Sequence, residues 1–433
     1  MQLWVARYVG GDSAFSVAVS PGGGTVFVTG ESASTSSGTD YATVAYSAST
    51  GARLWVKRYN GPGNINDAAS SVVVSPGGRR VFVTGSSVGA RTGRDYATIA
   101  YNAATGARLW VKRYNGPANS DDSASSVVVS PGGGTVFVTG SAATSQDPEM
   151  GTDYATVAYS AATGARLWVK RYNGPGNLYD DAFSVAVSPG GGRVFVTGRS
   201  FGATSGGDYA TVAYSAATGA RLWVKRYNGP ANGDDSASSV AVSPGGGRVF
   251  VTGSSDRTTS AYEFDYETVA YNATTGERVW TARYNGPGNG VDSAHVVEVS
   301  PGGGTVFVAG GSYGTTGSSD YATVAYSAAT GARRWVTRYD GTGNGDSAFS
   351  IAVNPDGSTV YVTGGSSGTT GFLDYATLAY SAATGARLWA ARYNSPGETS
   401  YDDAYSVAVS PDGSRVFVTG TSSGRYGTLA YSG

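Results

Sequence analysis

Chemistry-bearing residues are scarce in this 433-residue chain, which holds one histidine and no cysteine. Without thiols there is no disulfide, thiolate zinc site, iron–sulfur cluster or cysteine nucleophile. Any histidine relay has only His295 to draw on. The same short segment, His295-Val296-Val297-Glu298, sets a carboxylate where its sister segments carry Ala or Val. A carboxylate there is costly unless it is paired or wet. Just upstream stand Arg257, Tyr262, Glu263 and Glu267, the last again at an alanine position. The candidate catalytic residues are therefore Glu263, Glu267, His295 and Glu298. Two of these carboxylates, if about 5–9 Å apart in a cleft, could act on a glycosidic bond. His295 or Tyr262, with Arg257, could serve an elimination on a uronic-acid polymer. The competing reading is drift in a duplicated scaffold.

Aspartates recur at eight like positions: Asp12, Asp67, Asp122, Asp180, Asp235, Asp292, Asp346 and Asp402. Gathered at one rim, eight carboxylates could hold calcium or a polyhydroxylated ligand. The plainer reading is that each caps its own turn by accepting backbone N–H bonds. Regular repetition favours the cap, so no metal is assigned. A second series, Asp40, Asp95, Asp153, Asp208, Asp265, Asp320 and Asp374, gives way to Arg425 in its last copy and reads as loop bracing. Three residues after each member of the first series the chain varies: Phe15, Ser70, Ser125, Phe183, Ser238, His295, Phe349 and Tyr405. Rings at such positions can stack on a sugar or another flat face. The candidate ligand-binding set is Phe15, Phe183, Arg257, Tyr262, His295, Phe349 and Tyr405.

A repeat must position these residues. Tryptophans stand at 4, 55, 110, 168, 223, 280, 335 and 389, a period near 55. That length fits one blade of a β-propeller. Residues 153–175 and 208–230 are identical, so duplication or engineering explains the copies as well as selection does. Each unit reads as four short strands with no helix signal. In the first copy these are Ser16–Val19, Thr25–Gly30, Tyr41–Tyr46 and Leu54–Tyr59. The first three strands occur eight times; the fourth does so only if Leu3–Tyr8 is counted. Residues 3–8 are thus expected to complete the blade begun at 404–431. The reading is all-β: one domain over 1–433, an eight-bladed propeller of four-stranded antiparallel blades closed by the N-terminal strand. The Pro-Gly-Gly and Ala-Thr-Gly turns share one uniform rim, and the variable loops fall on the other, where binding concentrates.

Composition removes several alternatives. Glycine is abundant, 66 residues, but lacks the period of three that collagen requires. With 30 basic against 31 acidic residues there is no excess to neutralise a phosphate backbone. Arg91, Arg94, Arg199 and Arg257 are too sparse for a nucleic-acid track. No stretch approaches a membrane-spanning helix. The start, Met1 to Val5, lacks a basic-then-apolar leader, so a secretory signal is expected to be missing or trimmed.

The segment Ala45-Tyr46-Ser47-Ala48-Ser49-Thr50-Gly51-Ala52-Arg53-Leu54-Trp55 resembles the tryptophan-docking motif of quinoprotein-like propellers. The whole unit resembles bacterial β-propeller repeats of secreted and surface proteins. It carries their phrase as Asp95-Tyr96-Ala97-Thr98, Tyr101-Asn102, Gly106, Trp110, Arg113 to Pro117, Asp121-Asp122 and Val136 to Gly140. The likeness covers nearly the whole chain and is specific for fold. It implies an innermost first strand, so that the variable rim opens on a central channel, and an extracellular or cell-surface location. A quinone cofactor is not expected, for want of a cysteine pair and a cofactor insertion, and calcium is only possible. The expected function is non-catalytic binding of a glycan or protein partner, by a monomer, through the variable rim. The alternatives are a polysaccharide lyase or glycoside hydrolase using blades five and six, or a purely structural scaffold.

Overall fold

The computed structural model describes residues 1–10, 12–147, 151–258, 263–341, 345–368, 371–395 and 401–433. Their strands form eight four-stranded antiparallel sheets. Blades one to seven span residues 13–59, 67–114, 122–172, 180–227, 235–284, 292–339 and 346–393. Blade eight joins Asp402–Val409, Arg415–Ser422 and Tyr426–Ser432 to the N-terminal strand Gln2–Tyr8. The ring closes as the strand count requires. First strands of neighbouring blades touch all the way round, which makes them the inner wall of a channel.

Third strands lie between two neighbours in their own sheet and between two sheets. Their Tyr-Ala-Thr-Val-Ala-Tyr runs are therefore buried on both faces, as in Tyr154 to Tyr159. Each leading tyrosine hydroxyl donates to a backbone carbonyl of the next blade. Tyr41 reaches Ala97, Tyr96 reaches Ala155, and so on to Tyr375 and Gly427, at 3.1–3.2 Å. Tyr426 of blade eight then returns to Ala42 of blade one at 3.1 Å. Eight hydroxyls thus form one closed circuit.

The tryptophans make a second series of seven links on the Pro-Gly-Gly rim. Each indole N–H from Trp4 to Trp335 donates to an alanine carbonyl in the next blade's tight turn, as from Trp110 to Ala161 at 3.2 Å. The ring lies flat over that turn's glycine. A Cβ at Gly164 would come within 2.7 Å of Trp110, and its φ of +69° already disfavours a side chain. Trp389 has no such acceptor among the described residues.

Second and third strands run further toward the variable rim than the sequence suggests. In blade one they extend to Ser34 and begin at Gly38, adding the pairs Ser32–Asp40 and Ala33–Thr39. Ladder bonds between strands held in place by their neighbours override the low strand propensity of Ser, Thr and Gly. The second aspartate series braces these extensions. Arg113 pairs with Asp95 at 2.7 Å and also bonds Ser87 and, across the blade boundary, Tyr59. At the seam this latch is incomplete. Arg7 donates to Tyr393 of blade seven, but Arg425 occupies the aspartate position.

Two stability measurements follow. Gly164→Ala should cost about 2–4 kcal/mol by strain and displacement of Trp110. Gly134→Ala, with no atom near its would-be Cβ, should stay within about 0.5 kcal/mol in the same denaturant titration. Arg425→Asp should stabilise by about 1 kcal/mol through a new pair with Arg7, an effect that added salt diminishes.

Candidate functional site

Every first strand has a register shift near its variable-rim end: between Ala14 and Ser16 in blade one, and between Ala294 and Val296 in blade six. The extra residue is the varied one, Phe15, Ser70, Ser125, Phe183, Ser238, His295, Phe349 or Tyr405. A bulge takes its residue out of the ladder and re-aims the side chain. Four successive blades use this to build one aromatic arc. His295 stacks on Phe349 at 5.3 Å and 17°, Phe349 meets Tyr405 at 5.9 Å, and Tyr405 meets Phe15 at 5.7 Å. Phe183 stands apart in blade four, 40% exposed, between blades bearing serine. Five of the eight bulge positions carry rings and three carry serine hydroxyls.

Beyond the bulge, a serine in most blades accepts from the next blade's valine N–H, as Ser239 does from Val297 at 3.3 Å. Blade six has Val296 there and cannot. His295 supplies the missing link instead, its Nδ1 lying 2.8 Å from the carbonyl of Ala348. The carbonyl can only accept, so Nδ1 carries the proton, and burial lowers the ring's pKa. Glu298 lies further along the strand, opposite Phe307, and is exposed within the wall of inner strands. It has no hydrogen-bond or ion-pair partner among the described residues, and desolvation pushes its carboxyl up to about 7.

Acidic groups gather beside the arc where blades eight and one meet. Asp403 is bonded to Tyr405, and burial raises it to about 7. Glu31 is raised by burial and by the charge of Asp12. The other entrance aspartates serve the backbone. Asp67 accepts from Gly61 and from Val88, Asp122 from Gly116 and Ala143, and Asp292 from Gly286 and Tyr313. Asp180, Asp235, Asp346 and Asp402 take the matching N–H of Gly174, Gly229, Gly341 and Ser395. Their carboxylates are committed to holding linkers, whereas Asp12 has no such bond among the described residues.

The four candidate catalytic groups have separate surroundings. Glu267 is 2% exposed and bonds Arg283 at 3.0 Å, joining the latch between that arginine and Tyr227. Glu263 pairs with Arg257 at 2.7 Å on the rim. No hydrogen bond or ion pair links any two of Glu263, Glu267, His295 and Glu298 among the described residues. Tyr262 lies outside the described residues. The sequence reading did not single out Asp403, Glu31 or the Arg199–Asp234 pair, bonded at 2.9 Å. Asp403 had a signal, since five copies carry serine there.

A family model described as outer membrane protein assembly factor BamB matches residues 2–153 and 151–425. The chain belongs to this PQQ-like, BamB-type propeller family. No curated protein sequence matches it. Among solved structures, BamB from Moraxella catarrhalis is 16% identical with a TM-score of 0.54, covering 99% of both chains. Chaetomium thermophilum Sqt1, solved bound to the N-terminus of ribosomal protein L10, is 12% identical at 0.67, covering all of both. The Dos1 propeller is 12% identical at 0.61, covering 99% of this chain and 95% of that one. These likenesses establish the fold.

Among the described residues of this BamB-type ring, one carboxylate group has spacing suited to a cation. Asp320, Asp340 and Asp346 bring oxygens within 4.8 Å of one another, the donor type calcium prefers. Two are already engaged, Asp320 by Arg338 and Asp346 by the N–H groups of Gly341 and Ser367. No helix among the described residues is long and apolar enough to cross a membrane.

Glu298 gives a pH test. Its raised pKa means the fold holds an extra proton between about pH 4.5 and about 7. The charged form therefore costs stability above that window and nothing below it. Above pH 7, Glu298→Gln should raise the melting midpoint, with a gain in unfolding free energy of no more than about 1 kcal/mol given its solvent access. Below pH 4.5 it should leave the midpoint unchanged.

Proposed function

We propose that this ring is a non-catalytic binding protein of the cell surface or extracellular space. Its partner is an extended polypeptide laid across the variable rim. The observation that carries this reading is the aromatic arc His295–Phe349–Tyr405–Phe15, built on four consecutive bulges. Rings packed side by side offer a continuous apolar strip of low conformational entropy, suited to a side chain of a bound segment. Asp12, Glu31 and Asp403 beside its end favour a segment that also carries Lys or Arg. Two comparisons support the choice of polypeptide: the family is described as an assembly factor, and Sqt1 holds the N-terminus of another protein. The engagement of Glu267 by Arg283 and Tyr227 weighs against a carboxylate pair for hydrolysis.

The experiment is a peptide array, with a glycan array alongside, on the intact ring. Peptides combining aromatic or aliphatic groups with Lys or Arg should bind, more weakly at high salt. Phe349→Ser and Tyr405→Ser copy the residue already found at Ser70, Ser125 and Ser238, so the ring should stay folded. Each should weaken binding at least about ten-fold. Binding that ignores both substitutions, or that appears on the glycan array alone, would overturn the reading.

A further inference from the structure

The near balance of 30 basic and 31 acidic residues hides a separation across the ring. We infer that the uniform rim of Pro-Gly-Gly and Ala-Thr-Gly turns is a docking face for a bilayer of anionic phospholipid. The inference does not rest on the aromatic arc, which lies on the opposite rim.

Cations collect on the uniform rim because they stand where strands leave its turns. Seven arginines, Arg53 to Arg387, open the outer strands, and Arg80, Arg193, Arg248 and Arg415 open second strands. Arg79 and Arg334 sit beside them in sequence. Lys57, Lys112, Lys170 and Lys225 lie farther along outer strands, but their stems run back over the next blade's tight turn. A Cβ at Gly106 would lie 2.9 Å from Lys57 Cε, and the other three lysines repeat this contact. Against these seventeen cations only Glu277, Asp356 and Asp412 stand on the turns, with Glu298 inside the channel. All other described acids lie toward the variable rim, as do all ten ion pairs among the described residues. The seven arginines that open outer strands are exposed and have no carboxylate partner among the described residues.

The shape of the rim and its apolar residues define the partner. Both kinds of turn keep one length in all copies, as from Val19 to Thr25 and from Ser47 to Arg53, so no loop projects beyond its neighbours. Positive charge spread round a whole circle matches a two-dimensional sheet of phosphates. A linear polyanion would follow one path and leave most of it unused. Seven of the eight outer strands also carry Leu or Val at their second residue, 43–56% exposed, as at Leu54 and Leu388. Blade six has Arg334 there. Leucine gains little beside a phosphate polymer in water. At a membrane it buries in the boundary between headgroups and acyl chains, while the neighbouring arginine keeps its charge among the phosphates. Docked this way, the ring turns its variable rim and the arc away from the bilayer.

Vesicle sedimentation with the intact chain tests this. The probes are phosphatidylglycerol mixed with phosphatidylcholine, phosphatidylcholine alone, and a short DNA duplex. The chain should pellet with the mixed vesicles and not with phosphatidylcholine. Salt at about 1 M, where the screening length is about 3 Å, should release it. Arg108→Glu, Arg166→Glu and Arg221→Glu together should weaken that binding at least about ten-fold. Arg91→Glu with Arg94→Glu, on the variable rim, should leave it within about two-fold, and Tyr405→Ser should leave it unchanged. Leu109→Ser, Leu167→Ser and Leu222→Ser together should weaken vesicle binding at least about three-fold with the melting midpoint held. These side chains are exposed, so that variant decides the matter even if the arginine triple fails to fold. Equal sedimentation with both kinds of vesicle would overturn the inference. So would DNA bound as tightly as the vesicles, a leucine triple without effect, or a control as damaging as the arginine triple.

Discussion

The hydroxyl of one tyrosine per blade, donated to a carbonyl of the following blade, sets the constraint on which this molecule depends. Repeated eight times, it returns from Tyr426 to Ala42 and leaves no free end. A buried hydroxyl without an acceptor costs about 1–3 kcal/mol, so a missing neighbour exposes or strands its partner. The tryptophan links add the same demand on the Pro-Gly-Gly side of seven boundaries among the described residues. An open stack of these sheets would leave one blade's tyrosine, tryptophan and buried Tyr-Ala-Thr run without cover. Closure through strand Gln2–Tyr8 removes that penalty.

Because every blade carries its own copy of these contacts, residues outside them can vary without threatening the ring. The departures gather on the variable rim. Bulges there hand one residue per blade to the channel, and four consecutive blades spend it on rings. Blade six shows how closely structure and variation are coupled: Val296 removes a serine link, and His295 replaces it through Ala348. That histidine both closes a boundary and starts the arc. Arg199 likewise needs Gly207 beneath it, because a Cβ there would lie 2.2 Å from its Nε.

The period, the blade count and the split blade were legible in the spacing of Trp and Tyr, since those residues act once per unit. The varied residues after each entrance aspartate were legible for the same reason, as breaks in a regular series. Their bulged geometry was not, because a one-residue register shift leaves no mark in so short a strand. Glu267 illustrates a second limit. Third strands are buried on both faces, so alternation cannot tell whether its carboxylate meets solvent or, as it does, Arg283. Contacts across blades were hidden too: Arg199 and Asp234 lie 35 residues apart, and nothing local pairs them.

The most direct test of closure is a circular permutant. Residues 12–433 would be followed by the turn Ala161 to Ala165 and then residues 2–8, so that blade eight becomes continuous. One cooperative transition is expected, with a midpoint equal to the parent's or higher, because blade eight would then be continuous in the chain. A permutant that fails to fold, or melts in separate steps well below the parent, would contradict closure by this strand.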